Sequence, residues 1–489
     1  MATRLSKSRF VAGVQCLKRL YFQVHRAELA APAEDAVEAI MRQGNEVGAI
    51  ARRAFPGGVM VEGSHEDLSS AVRTTRELIA NDSVPAVFEA TFASDDILVR
   101  VDVLERTAPA GFRVIEVKSA TSVKDYYRYD VGIQRHVVEK AGIPLCGTYV
   151  MHLNRQYAYG GGDYDLSQLF TQSDLSTDAV PDAKIRELMK EQFTILGQPE
   201  PPQVKPGDQC TNPVTCEFFE HCNPEVPPNH VNYMPGLRSG KIDQLAAMAV
   251  TTIDQIPDDF PLSDRQRRVR ECVKSGSRWI APEVGPALAS VKYPLCFMDF
   301  ETVNPALPWF VGMRPYDPIP FQWSLHRQET SGAPLKHFEF LAKTRDDPRR
   351  DFAESLLQAT AGAGTVVVYN KAFEAARLDD LAGWMPDHAQ ALEALDAKLW
   401  DLLQVVREHV YDPKFAGSYS LKQVLPALVP EMSYASLEVS NGEQAGLAWM
   451  QLLRAGDPAV SAALRAYCGQ DTLALVRVLE VLRSCAPHA

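Results

Sequence analysis

Two short apolar runs carry acids where a buried strand should have none. Phe112-Arg113-Val114-Ile115-Glu116-Val117-Lys118 is one, and Leu295-Cys296-Phe297-Met298-Asp299-Phe300-Glu301 is the other. On a strand, residues i and i+2 project from the same face. Glu116 with Lys118, and Asp299 with Glu301, therefore each converge on one patch. Ionised groups beside an apolar core are costly unless they are paired or hold a cation. A chain that does this twice, about 180 residues apart, points to two separate metal-dependent sites, with spacings that suit phosphodiester hydrolysis.

A chain of 489 residues is too long for one hydrophobic core and implies roughly two to four domains. A hydrophobic share of 46% and a charged share of 23% are those of an ordinary globular protein. No apolar stretch approaches the ~20 residues that span a bilayer, so no membrane partner is expected. The start, Met-Ala-Thr-Arg-Leu-Ser-Lys-Ser-Arg, is basic but lacks the apolar segment of a secretory leader, and a cytoplasmic location is the expectation. The net charge of −12 argues against a large surface that coats DNA nonspecifically. It is compatible with a nuclease, because acids gathered at metal sites contribute to it. Residues 1–60 hold nine Lys/Arg against five Asp/Glu, and Arg265, Arg267, Arg268 and Arg270 form a basic knot. Such patches can track a phosphate backbone or be a solvated helix face.

Hydrophobic periodicity orders the elements. Residues 34–54 read as a helix with Val37, Ile40, Met41, Val47 and Ile50 on one stripe. Strands follow over 86–92, 97–104 and 112–119, then a helix over 125–141 and a strand over 144–153. Two proline-rich stretches, Pro199–Pro213 and Pro224–Pro235, mark a boundary. Residues 236–280 are polar and helical. From Tyr293 onward strands (295–300, 321–326, 337–341, 365–369) alternate with helices (350–360, 371–383, 391–408, 443–455, 458–482), the pattern of an α/β domain. The expectation is a multidomain α/β chain: a first domain over 1–230, a helical linker over 231–290 and a second domain over 291–489.

In the first domain, Asp102 lies in the alternating run Val99-Arg100-Val101-Asp102-Val103-Leu104, and Glu116-Val117-Lys118 follows fourteen residues later. Two neighbouring strands can set Asp102 and Glu116 side by side, close enough to share a divalent cation. Lys118 on the same face can orient or deprotonate an attacking water and offset charge on a phosphate. Gln134, on a helix after Tyr126, Tyr127 and Tyr129, comes within reach of the same patch. A lone Glu-x-Lys is more simply an exposed cross-strand pair. Asp102 at this spacing, in strand–strand–strand–helix order, favours a site. The arrangement resembles the PD-(D/E)XK nuclease superfamily, in which an Asp, a Glu-x-Lys and a helical Gln form the active site. That resemblance implies catalytic roles for Asp102, Glu116, Lys118 and Gln134, with Asp102 and Glu116 on the metal. Glu46, in Gln43-Gly44-Asn45-Glu46-Val47-Gly48, and Glu89 are further acids such a site could use.

Five of the nine cysteines, Cys146, Cys272, Cys296, Cys468 and Cys485, are scattered and read as small apolar residues. The other four are Cys16 and, nearly two hundred residues later, Cys210-x5-Cys216-x5-Cys222. Four thiolates from opposite ends of one domain can enclose a cubane iron–sulfur cluster. Zinc competes, although its sites usually use closer Cys-x2–4-Cys knuckles. Four uncoordinated core cysteines fit poorly with the proline-rich setting of the trio. Cys16-Leu17-Lys18-Arg19-Leu20-Tyr21-Phe22 before the core, and Lys205-Pro206-Gly207 leading into the trio after it, resemble the iron–sulfur RecB-type nucleases. These include the CRISPR-associated single-strand exonuclease and the nuclease domains of AddB-like recombination enzymes. The resemblance covers roughly residues 1–230 and implies a structural 4Fe-4S cluster on Cys16, Cys210, Cys216 and Cys222.

In the second domain, Asp299-Phe300-Glu301 ends a buried strand. Thr365-Val366-Val367-Val368-Tyr369 leads into Asn370-Lys371-Ala372-Phe373-Glu374 at a helix start. Tyr467-Cys468-Gly469-Gln470-Asp471-Thr472 places Tyr467 and Asp471 four apart on one helical face. Two divalent cations about 4 Å apart need several bridging carboxylates, and Asp299, Glu301, Glu374 and Asp471 could supply them while Tyr467 positions the attacking water. The set resembles the DnaQ-like (DEDDy) 3′–5′ exonucleases of the ribonuclease H-like fold. Glu374 stands where that motif has Asp, and Asp401, in Leu399-Trp400-Asp401-Leu402, matches a supporting Asp. The whole chain resembles a bacterial family that joins an iron–sulfur RecB-like nuclease domain to a domain of this kind.

These resemblances imply a metal-dependent nuclease with two candidate active sites, Mg2+ or Mn2+ at each, and DNA with single-stranded ends favoured over RNA. Repair, recombination or defence is the implied setting, with a helicase or another repair or defence protein as partner. Two alternatives stay open. Only the first site is active and the second domain is a degenerate binding domain, or the chain is a non-catalytic nucleic-acid-binding subunit that recruits a helicase.

Overall fold

The structure, a computed structural model, describes residues 5–32, 35–62, 68–107, 111–223 and 226–485. Met1–Arg4, part of the segment read above for a leader, and Glu34, at the expected start of a helix, lie outside them. Two compact units emerge: Met1–Glu225 with Pro305–Asp317, and Val226–Asn304 with Pro318–Ala489. Both mix strands and helices.

In the first unit, β1 (Leu5–Ser6), α1 (Lys7–Gln15), α2 (Leu17–His25), α3 (Asp35–Arg52), β2 (Val59–Met60) and α4 (Leu68–Ala80) precede three long strands, β3 (Ala86–Ser94), β4 (Ile97–Thr107) and β5 (Gly111–Lys118). After them come α5 (Tyr127–Lys140), β6 (Leu145–Leu153), α6 (Leu166–Leu169), β7 (Phe170–Asp174), α7 (Asp182–Leu196) and α8 (Phe219–Cys222). The sheet order is β2-β3-β4-β5-β6-β7, with β1 also paired to β4. β3, β4 and β5 are antiparallel neighbours, and α5 crosses over to bring β6 parallel to β5, as a parallel neighbour requires. Alternation then sorts the side chains. Phe112 and Val114 join a cluster with Ile133 and Val137 of α5, while Ile115 joins one with Val47 and Ala51 of α3. Glu116, in phase with Val114, is thereby delivered to the α5 side.

In the second unit, α9 (Ser239–Ala247), α10 (Asp264–Ser275), β8 (Trp279–Ile280) and α11 (Val284–Ala289) precede β9 (Leu295–Val303), β10 (Ile319–Gln328) and β11 (Lys336–Leu341). Then follow α12 (Arg349–Ala359), β12 (Thr365–Val368), α13 (Lys371–Trp384), α14 (Ala389–Asp396), β13 (Leu399–Asp401), α15 (Leu402–His409), β14 (Val410–Tyr411), α16 (Leu421–Leu428), α17 (Gly442–Ala455) and α18 (Pro458–Cys485). The main sheet runs β11-β10-β9-β12-β13. β10 is antiparallel to β9 and β11, and β12 is parallel to β9 and β13. Cys296, Met298 and Phe300 pack against Phe352 of α12, Leu378 of α13 and Leu392 of α14. Asp299 and Glu301, out of phase with them, face the side on which α17 and α18 cover β9.

Several expected boundaries differ from those observed. Residues 231–290, expected as a linker, belong to the second unit: β8 pairs with β14, and Arg278 Nε donates to Asp412 Oδ2 at 2.8 Å. Residues 305–317, expected in the second domain, belong to the first unit, where Ala306 is fully buried and Tyr159 N–H donates to Met313 O at 2.8 Å. The single helix expected over 391–408 is helix, strand and helix, because Asp401 caps α15 by accepting from the N–H groups of Leu403 and Gln404. The arginine knot of α10 is partly packed: Arg265 and Arg267 are exposed, Arg268 is half-buried and Arg270 is buried. Arg265 and Arg268 lie 4.7 and 3.6 Å over the rings of Tyr419 and Trp279, and Arg270 donates to Pro257 O at 2.7 Å. Among the described residues, no helix is long and apolar enough to cross a membrane.

Candidate active sites

The β4–β5 ladder runs from Thr107 opposite Gly111 to Val103 opposite Ile115. Just past its end, Val117 N–H donates to Asp102 Oδ2 at 2.7 Å, which fixes Asp102 beside Glu116. The Glu116 carboxylate is almost fully buried and receives four bonds. Lys7 Nζ reaches both oxygens at 2.8 Å, Lys118 Nζ reaches Oε1 at 2.7 Å and Gln134 Nε2 donates to Oε2 at 2.8 Å. Asp130, one turn before Gln134 on α5, accepts from Lys118 at 2.6 Å and lies 3.5 Å from Lys7. All four sequence-derived residues, Asp102, Glu116, Lys118 and Gln134, thus meet in one place.

Charge is balanced here. Burial alone would raise the Glu116 carboxyl, but Lys118 and Lys7 outweigh it and hold it well below the usual carboxylate range. Burial and the Glu116 charge push Asp102 up to about 7. Lys7 and Lys118 are held above the ordinary lysine value because Glu116 and Asp130 outweigh burial. Glu46 is exposed on α3. Glu89 lies within β3 at a φ of 54°. Among the described residues, neither bonds to the Glu116 cluster.

The four cysteines also converge. Cys16, Cys210, Cys216 and Cys222 line one cavity together with Lys18, Arg19 and Lys205, and all four are free thiols. The segment around the trio is tied back to the first helices. Gln15 donates to Gln209 O and Val214 O at 2.7 Å, Arg19 bonds Glu217 at 2.9 Å, and Phe22 packs edge-on to Phe218 and His221. Burial pushes the Cys216 thiol up to about 11 and raises Cys222, so without a metal these groups stay protonated. Four sulfur donors around one cavity, with three cations at its rim, suit a negatively charged thiolate cluster.

In the second unit, β9 supplies Asp299 and Glu301, the first turn of α13 supplies Glu374, and α18 supplies Tyr467 and Asp471. Asn370, at φ of 93°, makes the sharp turn from β12 into α13, and its N–H donates to Asp401 Oδ1 at 3.2 Å. Asp401 is therefore a backbone clamp next to the site. Burial and the charges of Asp471, Glu301 and Glu374 raise Asp299 well above the carboxylate range. Burial, aided by Asp471, pushes Glu301 up to about 8; burial does the same to Glu374 and takes Asp471 to about 6. Glu374 is 1% exposed, and its Oε2 has no hydrogen-bond partner among the described residues. None of the four acids makes a salt bridge among the described residues. Asp299, Glu301 and Cys468 present ligand atoms within 4.8 Å of one another. Tyr434 donates to Asp471 Oδ1 at 2.5 Å, and a Cβ on Gly442 would lie 3.4 Å from Glu301 Oε2, so the start of α17 abuts that carboxylate.

Sequence reasoning missed Lys7, Asp130 and Tyr434. Asp130 carried a signal, since four residues before Gln134 is one turn on the same face. The others carried none, because their partners are remote in sequence: Lys7 is 109 residues from Glu116 and Tyr434 is 37 from Asp471.

Residues 296–420 match a family model described as "Domain of unknown function (DUF2779)". No curated protein gives a match. Among solved structures, the chain is similar to one titled "Crystal structure of SSO0001", at 13% identity over 46% of this chain and 89% of that one. Its TM-score of 0.24 carries no argument about fold or function.

Proposed function

We propose that the chain is a metal-dependent nuclease with a phosphodiester-hydrolysing centre in each unit and an iron–sulfur cluster in the first. One observation carries the reading. Asp299, Glu301, Glu374 and Asp471 are brought together from β9, α13 and α18 and, among the described residues, make no salt bridge, and the buried Glu374 Oε2 has no partner there. Uncompensated buried acids are strongly destabilising when ionised, and hard divalent cations are their natural complement. Glu374 acts electrostatically on Asp299, which is consistent with the longer side chain serving in place of Asp. The strand–strand–strand–helix order on which the PD-(D/E)XK resemblance rests recurs in β3, β4, β5 and α5, which supports the same reading of the first unit.

Mg2+ or Mn2+ would be held by Asp102 and Glu116 at the first centre and by the four acids at the second. When bound, it supplies Lewis acidity and positive charge at a phosphoryl oxygen. Lys118 then holds the phosphate or the attacking water on the face shared with Glu116, and Gln134 keeps that carboxylate oriented. At the second centre Tyr467 orients the water. Cys16, Cys210, Cys216 and Cys222 would hold a 4Fe-4S cluster that clips α1 and α2 to the segment after α7. DNA with single-stranded ends is the proposed substrate, in repair, recombination or defence beside a helicase.

The test is anaerobically purified protein on end-labelled single- and double-stranded DNA and RNA, with Mn2+ or Mg2+ and with EDTA. Metal-dependent breakdown, strongest on DNA with single-stranded ends, supports the reading. Failure to cut any substrate under any condition rejects it. Iron and sulfide analysis of the same sample tests the cluster, and a colourless, zinc-loaded protein would overturn it.

A further inference from the structure

Lys422 approaches the second centre without touching its acids. It lies at the second position of α16, in a first turn where the helix dipole disfavours a cation. Burial lowers its pKa even though Asp471, Glu301 and Asp299 act to raise it. Its Nζ lies 5.3 Å from the ring centroid of Tyr467 and 5.8 Å from that of Tyr434. Those two rings are 6.3 Å apart at 58°. With four carboxylates nearby, Lys422 still forms no salt bridge among the described residues.

The first centre supplies the contrast. Lys7 and Lys118, which neutralise acids, lie 2.6–2.8 Å from the oxygens they serve. Lys422 instead rests over two aromatic faces, which stabilise a cation without using its N–H groups, and an ammonium has three donors to offer. The hydroxyl of Tyr434 is already bonded to Asp471 Oδ1, so that ring is fixed as a support. A half-buried, preorganised cation next to a carboxylate cluster fits the anion that such a cluster processes.

We propose that Lys422, cushioned by Tyr434 and Tyr467, binds a non-bridging oxygen of the scissile phosphate at the second centre. This rests on the phosphodiesterase reading of that centre. A phosphodiester brought beside four acids is repelled unless cations offset both partners. The metal offsets the acids, and Lys422 offsets the phosphate as charge builds on its oxygens in the transition state.

The experiment uses the full chain in an Asp102→Ala/Lys118→Ala background, which removes a metal ligand and the phosphate-holding cation of the first centre, with Mn2+ and end-labelled single-stranded DNA. Lys422→Met is expected to lower kcat/KM about a hundredfold, and Lys422→Arg to restore it to within about tenfold of the Lys422 protein. Mn2+ binding, read from the electron paramagnetic resonance of the free ion, is expected to be equal or tighter in Lys422→Met, because a cation beside the acids has gone. A collapsed site would bind Mn2+ more weakly. Unchanged hydrolysis in Lys422→Met, or hydrolysis and Mn2+ binding lost together, overturns the assignment. If the Asp102→Ala/Lys118→Ala protein does not cut, the reading of the centre fails, and the assignment falls with it.

Discussion

Glu116 and Glu374 are both nearly inaccessible carboxylates, yet they sit in opposite electrostatic conditions. Glu116 is bonded by Lys7, Lys118 and Gln134, whereas Glu374 Oε2 has no partner among the described residues. A cation entering the first centre competes with Lys7 for Glu116. Lys7→Met is therefore expected to tighten Mn2+ binding there roughly fivefold or more, since a unit charge a few ångströms away is worth about 1 kcal/mol even at water's dielectric constant. Titration in an Asp299→Ala background reads this, and weaker binding would count against competition. The second centre predicts a pH effect. A carboxyl whose folded pKa lies above its unfolded value of about 4 keeps its proton in the fold after the unfolded chain has lost its own. Stability from such groups is complete below about pH 4 and falls away as pH rises toward the folded values of about 6 to 8. The melting temperature of metal-free protein is expected to drop by several degrees between pH 5 and 8. Glu301→Gln and Glu374→Gln should flatten that slope, and Mn2+ should raise the melting temperature more at pH 8 than at pH 5. A slope unchanged by both variants would contradict the account. Most of this chemistry could be read from residue spacing. Asp102, Glu116, Lys118 and Gln134 announced one another because alternation and helical pitch act locally, whereas Lys7, Tyr434 and Lys422 reach their partners only through the finished fold.

At the scale of elements, long periodic segments were legible and short ones were not. Strands β3 to β6 and β9 to β12 follow from alternation and β-branched runs. Strand β13 has three residues, too few for any period, and so two helices read as one. Asp401 explains the break, since it caps α15 and holds the N–H of Asn370 that starts α13. Asp401→Ala is expected to cost about 1–2 kcal/mol, measured by denaturant unfolding; no change would deny it the clamping role. In the first unit α1 packs on α7 at Gly13, where a Cβ would lie 2.5 Å from the Gln192 side chain and 2.8 Å from that of Leu20. Gly13→Ala is expected to destabilise by about 1–3 kcal/mol and to lower iron content, because α1 leads directly to Cys16. Full iron loading in that variant would separate the cluster from this packing.

At the scale of the molecule, two units process charge differently. One pairs its acids with built-in lysines, and the other buries its acids without a salt bridge among the described residues. More than one core was implicit in a chain of 489 residues. The boundaries were not, because residues 231–290 and 305–317 are assigned by contacts such as those of Arg278 with Asp412 and of Tyr159 with Met313, which no local pattern announces. The central claim is that both carboxylate clusters hydrolyse phosphodiesters. The most direct measurement is Mn2+-dependent cleavage of end-labelled DNA by wild type, Lys118→Ala, Asp299→Ala and the double variant, all shown to be folded. Each single variant is predicted to keep part of the activity and the double variant to lose it by at least about a hundredfold. A double variant that cuts as well as wild type would contradict the account.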